Sequence, residues 1–183
     1  EKPILDRVFK AYDIRGLVSD EISPDLTFAI GVAFANFLEA EREPATVVIG
    51  EDMRPSSPDL AGAFSDGITS QGLDVIRIGL SSTDQLYFAS GSLNLPGAMF
   101  TASHNPAAYN GIKLCKSGAR PIGQESGLLW IKKRVETGAN IALRSVGIEQ
   151  HQDLLTDYVD YLFSLFPSEL FQRSYQGQIG RAH

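Results

Sequence analysis

The chain has 183 residues and a formal net charge of -6, and 43% of its residues are hydrophobic while 21% are charged. This composition is typical of one well-cored globular domain plus some extra chain, and the acidic balance argues against nucleic-acid binding, which needs clustered lysine and arginine. No apolar run approaches the roughly 20 residues of a membrane-spanning helix, and the single cysteine, Cys115, excludes an internal disulfide, so we expect a cytoplasmic protein.

Helix starts and apolar strands alternate through the first half of the chain. An apolar piece at residues 8–12 leads to a turn marked by Gly16. A serine, a proline and an aspartate at residues 23–25 have the pattern of an N-cap and first helical turn, and they predict a helix over residues 23–39. The same signal at residue 57 predicts a helix to residue 70. The β-branched runs at residues 46–50 and 73–79 predict buried strands.

The second half continues the same alternation. It predicts a short helix at residues 83–89, strands at 97–101 and 111–115, and a helix at 124–137. The Asn110-Gly111 step between the last two strands favours a hairpin and so an antiparallel pair. We therefore expect an α/β fold, a three-layer α/β/α domain with a mixed, mainly parallel sheet.

The pattern also predicts how the chain is divided. The α/β domain is expected to occupy residues 1–137, followed by a linker over residues 138–150. An amphipathic helix is expected within residues 151–171, and residues 172–183 have the composition of a disordered or non-native tail.

Two loops that follow predicted strands, residues 51–57 and 101–110, are the expected ligand site, because ligands bind at the carboxyl ends of strands in open α/β sheets. Ser103 and His104 stand side by side in the second loop. A hydrolase triad is disfavoured, since neighbouring side chains in an extended segment point to opposite sides and no G-x-S-x-G surrounds Ser103. A serine that carries a phosphoryl group needs basic neighbours, which His104 and Lys113 supply. A structural loop serine is the remaining interpretation.

Three sequence words carry a resemblance to a known family. They are VFKAYDIRG at residues 8–16, GEDMRPSS at 50–57 and TASHNPAAYNGIKL at 101–114. In this order and spacing they closely resemble the N-terminal domain I of the α-D-phosphohexomutases, with the phosphomannomutase/phosphoglucomutase branch the most similar. The resemblance covers most of residues 8–137. It implies an isomerase that interconverts hexose 1-phosphate and hexose 6-phosphate through a hexose 1,6-bisphosphate.

The resemblance implies roles for the residues of these words. Ser103 would be the phosphorylated residue, and it would give a phosphoryl group to the substrate and take the other one back. His104 would line the substrate site, while Lys113 and Arg15 are candidates for acid/base and charge-stabilising work. Tyr12 would contact the sugar or shape the site.

Other residues of the words are expected to act structurally. Asp52, Arg54 and Asn105 stand near the site, and we expect Arg54 to brace the loop through Asp52. The phosphate on Ser103 would complete a Mg²⁺ site, whose aspartate ligands belong to a D-G-D-G-D-R loop that the family carries and this sequence does not contain.

Family members have four domains, so the resemblance implies domains II to IV of the same polypeptide as partners, in addition to a phosphohexose substrate. We expect this chain alone to lack mutase activity, and its exposed interdomain face to permit self-association. Two alternatives stay open. One is a phosphoglucosamine mutase domain, against which Tyr109 speaks, because those enzymes tend to carry aspartate there. The other is a non-catalytic domain that binds a sugar phosphate or a partner.

Overall fold

The computed structural model describes residues 2–138 and 145–167, and it divides into two compact units, Glu1–Asp153 and Leu154–His183. Its helices are α1 (Lys2–Val8), α2 (Pro24–Ala40), α3 (Ser57–Thr69), α4 (Thr83–Leu93), α5 (Leu129–Glu136) and α6 (Leu155–Ser164), with a π-helical turn, Gln124–Leu128, directly before α5. Its strands are β1 (Ile14–Leu17), β2 (Thr46–Glu51), β3 (Asp74–Leu80), β4 (Gly97–Phe100), β5 (Tyr109–Lys116), β6 (Arg120–Pro121) and β7 (Glu149–His151).

Within the described residues the strands form one mixed sheet in the order β1-β5-β4-β2-β3-β7, with β6 paired to the end of β5. The pairs β2–β3, β2–β4 and β3–β7 are parallel, and every pair that involves β5 is antiparallel. Strand β5 therefore runs against each of the strands it pairs with. The mixed, mainly parallel sheet expected from the sequence is confirmed.

One side of the sheet packs on α2 and α3. The Ser23 hydroxyl caps α2 by accepting a hydrogen bond from the Leu26 N–H at 3.2 Å. Aromatic rings link the two helices to the sheet: the ring centroids of Phe34 and Phe64 are 5.9 Å apart, and those of Phe64 and Phe100 are 5.4 Å apart in an edge-on pair. All three rings are fully buried. This aromatic contact across the layer interface contributes to the apolar burial that stabilises the domain.

Helices α2 and α3 touch backbone to backbone at two glycines. A Cβ atom placed on Gly31 would lie 2.3 Å from the Phe64 carbonyl oxygen, and one on Gly67 would lie 2.3 Å from the Phe28 carbonyl oxygen. The two glycines are also neighbours of each other across the contact. Neither position has room for a side chain, so this helix pair depends on glycine for its close approach.

The opposite side of the sheet carries α4. The Cys115 thiol on β5 lies 3.4 Å from the Ser90 hydroxyl on α4, and burial raises the pKa of this thiol. Met99 on β4 and Leu86 on α4 are also buried here. Helices thus lie on both sides of the sheet, which confirms the three-layer architecture.

Two glycines that the sequence assigned to turns lie inside strands. Gly16 is part of β1, where a Cβ would lie 2.9 Å from Val8 and Glu21 side-chain atoms. Gly111 is part of β5, where a Cβ would lie 2.3 Å from the Ile14 carbonyl oxygen. Both glycines permit close packing rather than chain reversal, and the connection between β4 and β5 is residues 101–108 instead of the Asn110-Gly111 step.

The end of the chain also differs from the sequence prediction. Residues 149–151, assigned to the linker and to the start of the last helix, form β7, which pairs in parallel with β3. This strand is favoured by Glu149, whose carboxylate pairs with Arg77 and accepts a hydrogen bond from the Ser65 hydroxyl. The expected helix begins at Leu155. Linker residues 139–144 and tail residues 172–183 lie outside the described residues.

Helix α6 belongs to the second unit and carries exposed apolar side chains, among them Leu155, Val159, Leu162 and Phe163. None of the described helices combines the length and the hydropathy needed to cross a bilayer.

Candidate active site

The two loops singled out from the sequence meet at the carboxyl edge of the sheet. Strands β2 and β4 are parallel neighbours, and their last residues, Glu51 and Phe100, stand opposite each other. Just beyond them the Asp52 N–H donates to the Phe100 carbonyl oxygen at 2.9 Å. The parallel order of the two strands therefore brings residues 52–56 against the loop that contains Ser103.

Arg54 is the main contact between these loops. Its Nε donates to the Asp52 carboxylate at 3.1 Å, and its side chain is only 10% exposed. Its two terminal nitrogens donate to four main-chain carbonyl oxygens at 2.8 to 3.0 Å, those of Ser103, Asn105, Pro106 and Tyr109. A guanidinium has five N–H donors, and these contacts use all five. Arg54 thus holds the loop and keeps no donor for a ligand.

A second contact, centred on the fully buried side chain of Asn110, holds the far end of the loop. The Asn110 side-chain amide donates to the hydroxyls of Ser56 and Ser57 at 2.8 and 3.0 Å, and its oxygen accepts from the Gly111 N–H at 2.8 Å. The Ser57 hydroxyl in turn donates to the Asp52 carboxylate at 2.7 Å. Sequence reasoning missed this contact, because it interpreted Asn110 as a turn residue, although all of these residues lie within the three words.

Ser103 occupies a tight turn with a left-handed backbone, at φ 51°. The turn is closed by Asn105, whose main-chain N–H and side-chain amide both donate to the Ala102 carbonyl oxygen, at 3.0 and 2.8 Å. The Ser103 N–H donates to the Thr101 hydroxyl at 3.0 Å. A left-handed residue other than glycine costs about 1 kcal/mol or more, which these bonds offset. The turn leaves Ser103 and His104 exposed.

The two predicted cations lie on neighbouring strands. Alternation along β1 and β5 places Arg15 and Lys113 on the side of the sheet opposite α2 and α3, since the side chains of Ile14, Ile112 and Leu114 belong to that buried core. Asp13 lies between them, with its carboxylate oxygens 3.9 Å from Arg15 Nη2 and 3.5 Å from Lys113 Nζ. The side chains of Arg15 and Lys113 are 31% and 25% exposed, so an anion can reach both.

Arg15 and Lys113, the basic pair, lie close to the residues that flank the loop of Ser103. Arg15 stands opposite Gly111 in the β1–β5 pair, and the Gly111 carbonyl oxygen accepts a hydrogen bond from the Thr101 N–H at 3.0 Å. Tyr12, just before β1, is 82% exposed. Within residues 2–138 and 145–167, no hydrogen bond or ion pair joins the Ser103 hydroxyl to Arg15, Lys113 or His104.

The described part of the chain contains no cluster of three or more carboxylate, imidazole or thiol side chains that could hold a metal ion. Asp13 is paired with two cations, and Asp52 is bonded to Arg54 and Ser57. Neither carboxylate is free to serve as a ligand for Mg²⁺ without losing these partners, so the described residues do not form a Mg²⁺ site by themselves.

The chain is similar to known proteins over most of its length. Residues 6–141 match the family model described as phosphoglucomutase/phosphomannomutase, alpha/beta/alpha domain I. A phosphomannomutase of Escherichia coli strain K12 is 39% identical over 181 residues, and the match covers 94% of this chain and 39% of that protein. A protein of Xanthomonas campestris pv. campestris strain B100 named phosphohexose mutases is 43% identical over 157 residues, with 85% of this chain and 34% of that protein covered.

A solved structure gives the same result. A phosphoglucomutase/phosphomannomutase family protein of Burkholderia thailandensis superposes with a TM-score of 0.78 and 30% identity, over 86% of this chain and 35% of that chain. The chain spans less than half the length of the relatives it matches.

Proposed function

The chain belongs to the phosphoglucomutase/phosphomannomutase family as its α/β/α domain I, and from that premise we propose that Ser103 is the phosphoryl-carrying residue of a phosphohexomutase. The observation that carries the proposal is the geometry of the Ser103 turn. An exposed hydroxyl stands on a strained turn whose shape is set by Arg54 and Asn105, at the sheet edge where α/β proteins bind ligands.

The proposed reaction moves a phosphoryl group between the 1 and 6 positions of a hexose. The bond between phosphorus and the Ser103 oxygen breaks, a bond from phosphorus to the free sugar hydroxyl forms, and that hydroxyl loses its proton. The hexose 1,6-bisphosphate then reverses its orientation, and the Ser103 oxygen accepts the other phosphoryl group. No phosphate is consumed over the cycle.

The basic pair fits this chemistry. Phosphoryl transfer depends mainly on positioning and on neutralising the phosphoryl oxygens. We assign Arg15 and Lys113 to that neutralisation, with Lys113 also a candidate for moving the hydroxyl proton, and His104 and Tyr12 to contact with the sugar phosphate. Asp13 keeps both cations in place until an anion replaces it.

Mg²⁺ is proposed as the cofactor of the complete protein, where it would neutralise charge on the transferring group. In the described part of this chain, the ligand that fits is an oxygen of the Ser103 phosphate, and carboxylate ligands would come from elsewhere in a longer polypeptide. We also propose that the remaining domains of that polypeptide complete the site and that this chain alone has no mutase activity. Its substrate is a phosphohexose, with mannose or glucose phosphate favoured over glucosamine phosphate by Tyr109.

The test is the phosphorylation of Ser103. The purified chain is incubated with glucose 1,6-bisphosphate, and the intact mass and the fragment masses are measured before and after. We expect one added phosphoryl group on Ser103, and none in a Ser103→Ala variant. A Ser92→Ala variant, which removes an exposed serine from α4, is the matched control and should accept phosphate as the unaltered chain does.

An unmodified Ser103 under all conditions would contradict phosphoryl acceptance by this chain alone. Two interpretations would then remain: a transfer that needs the remaining domains of the longer polypeptide, and a non-catalytic domain that binds a sugar phosphate. Phosphate that persists in the Ser103→Ala variant would assign the chemistry to another residue. Self-association through a face that the other domains would cover remains a prediction, tested by sedimentation velocity over a range of concentrations.

A further inference from the structure

The contacts of Arg54 fix the direction of several peptide groups in the Ser103 loop. Arg54 binds the carbonyl oxygens of Ser103 and Pro106 among its four main-chain acceptors. In a trans peptide the carbonyl and the following N–H point in opposite directions, and no cis peptide is present among the described residues. The N–H groups of His104 and Ala107 therefore point away from Arg54.

These two N–H groups have no acceptor among the described residues. Among residues 2–138 and 145–167, no hydrogen bond is formed by either group, and both residues are exposed, as is Ser103. The other two peptide groups that Arg54 binds do not offer such a donor. The nitrogen after Asn105 belongs to a proline and has no hydrogen, and the nitrogen after Tyr109 lies inside β5. The exposed side of the loop thus presents two main-chain donors that are unpaired among the described residues, one of them on the residue directly after Ser103.

We propose that Arg54 is a positioning residue that orients the N–H groups of His104 and Ala107 toward the phosphoryl group on Ser103, so that the loop main chain forms a phosphate-binding nest. This inference rests on the proposed function, because it assigns donors to the phosphate that Ser103 would carry. Main-chain N–H groups in a turn are well suited to bind anions, and hydrogen bonds to an ionised acceptor are about twice as strong as neutral ones.

The geometry requires an arginine rather than any cation. A lysine at position 54 would keep the positive charge, but its ammonium has three donors and cannot reach four carbonyl oxygens and Asp52 together. Arg54→Lys therefore separates the orienting role from the charge. If only the positive charge at position 54 mattered, the phosphate on Ser103 would have the same pKa in the unaltered chain and in Arg54→Lys.

The experiment uses the full chain with phosphoserine incorporated at position 103 during translation, so that it does not depend on any phosphoryl transfer. The second ionisation of the phosphate is followed by phosphorus NMR as a function of pH, and the amide signals of His104 and Ala107 are followed in the same titration. Donors that favour the dianion lower its pKa. In Arg54→Lys we expect this pKa to rise by about 0.5 to 1 unit.

The control is Arg77→Lys. Arg77 is buried to the same extent as Arg54, with a side chain 9% exposed, and it is paired with carboxylates on β2 and β7 instead of loop carbonyls. Loss of a buried arginine in general would affect both variants, whereas the proposal predicts a shifted phosphate pKa in Arg54→Lys alone. Circular dichroism establishes that each variant is folded.

Two results would overturn the inference. One is an equal phosphate pKa in the unaltered chain and a folded Arg54→Lys. The other, which needs no variant, is a pair of His104 and Ala107 amide signals that do not move as the phosphate ionises. Either result leaves the proposed function intact if Ser103 accepts phosphate from glucose 1,6-bisphosphate, so the two hypotheses fail separately.

Discussion

The glycine contact between α2 and α3 allows a test of whether the stability of the domain depends on the close approach of these two helices. Replacing Gly67 by alanine adds one methyl group whose carbon would lie 2.3 Å from the Phe28 carbonyl oxygen and 3.0 Å from the Val32 nitrogen. Both atoms belong to the backbone of α2 and cannot rotate away. The two helices must therefore separate by at least roughly 0.7 Å, against the close packing of the core.

Two opposing terms decide the outcome. Alanine is favoured over glycine by about 1 kcal/mol in a helix interior. Forcing an extra methyl group into a packed contact costs about 1–3 kcal/mol or more, and here the opposing atoms are rigid. We expect Gly67→Ala to lower the free energy of unfolding by about 2 kcal/mol. Gly62→Ala is the matched control in the same helix, because no atom beyond the neighbouring backbone of α3 lies within 4 Å of its added Cβ, and it should raise stability by about 0.5–1 kcal/mol.

Urea denaturation followed by circular dichroism measures both free energies. A double variant, Gly31→Ala with Gly67→Ala, adds a further check: since one helix displacement relieves both clashes, its cost should be smaller than the sum of the two single costs. The reasoning would be refuted if Gly67→Ala proved as stable as Gly62→Ala, because that result would mean the helices separate without loss.

Two further predictions concern polar contacts. Asn110→Ala removes the buried amide that bonds Ser57 and should lower the free energy of unfolding by about 2 kcal/mol, measured by urea denaturation; an unchanged midpoint would show that the contact adds nothing. Burial alone raises the pKa of Glu43, but hydrogen bonds from Ser117 and the charge of Arg120 outweigh it and hold that pKa below its usual value. The carboxylate therefore stabilises the fold above its unfolded pKa of about 4.3 and loses this effect as the pH falls through the lower folded value. The Glu43→Gln variant should be less stable than the unaltered chain by about 1 kcal/mol at neutral pH, and the two stabilities should become equal in acid. Thermal unfolding at several pH values measures this, and a stability difference that does not change with pH would contradict the prediction.

Local signals predicted most of the helices and central strands. The serine before α2 and the proline at its first position predicted a start at residues 23–24, where the structure has it, because an N-cap depends on residues adjacent in sequence. The apolar run at residues 46–50 corresponds to β2, since a strand buried on both sides must be apolar throughout. The local sequence of each of these elements is enough to predict it.

The strands at the two ends of the sheet could not be predicted in this way. Strand β1 contains Arg15 and Gly16, and β7 is entirely polar, so neither has the composition of a strand. Each forms because a partner distant in sequence offers it hydrogen bonds: β5 for β1, and β3 for β7. Pairing between distant segments leaves no mark on the local pattern.

The site shows the same division. The words around Ser103 and Arg54 predicted which residues stand near one another, because their strands end at one edge. They did not predict the left-handed conformation of Ser103 or the buried bonds of Asn110, since both depend on how two loops fold against each other. The sequence motifs identify the residues of the site, whereas contacts between the two loops determine the orientation of those residues.

The complete use of the Arg54 donors has a thermodynamic consequence for any ligand of this loop. Ordering a flexible loop when a ligand arrives consumes part of the binding free energy, at about 1–2 kcal/mol for each residue whose backbone is fixed. Here a side chain of the protein itself holds the carbonyl groups of three loop residues and of Tyr109 at the start of β5, so that ordering is completed when the chain folds. A ligand that reaches the turn keeps the free energy of its own contacts, and the arginine acts on affinity without touching the ligand.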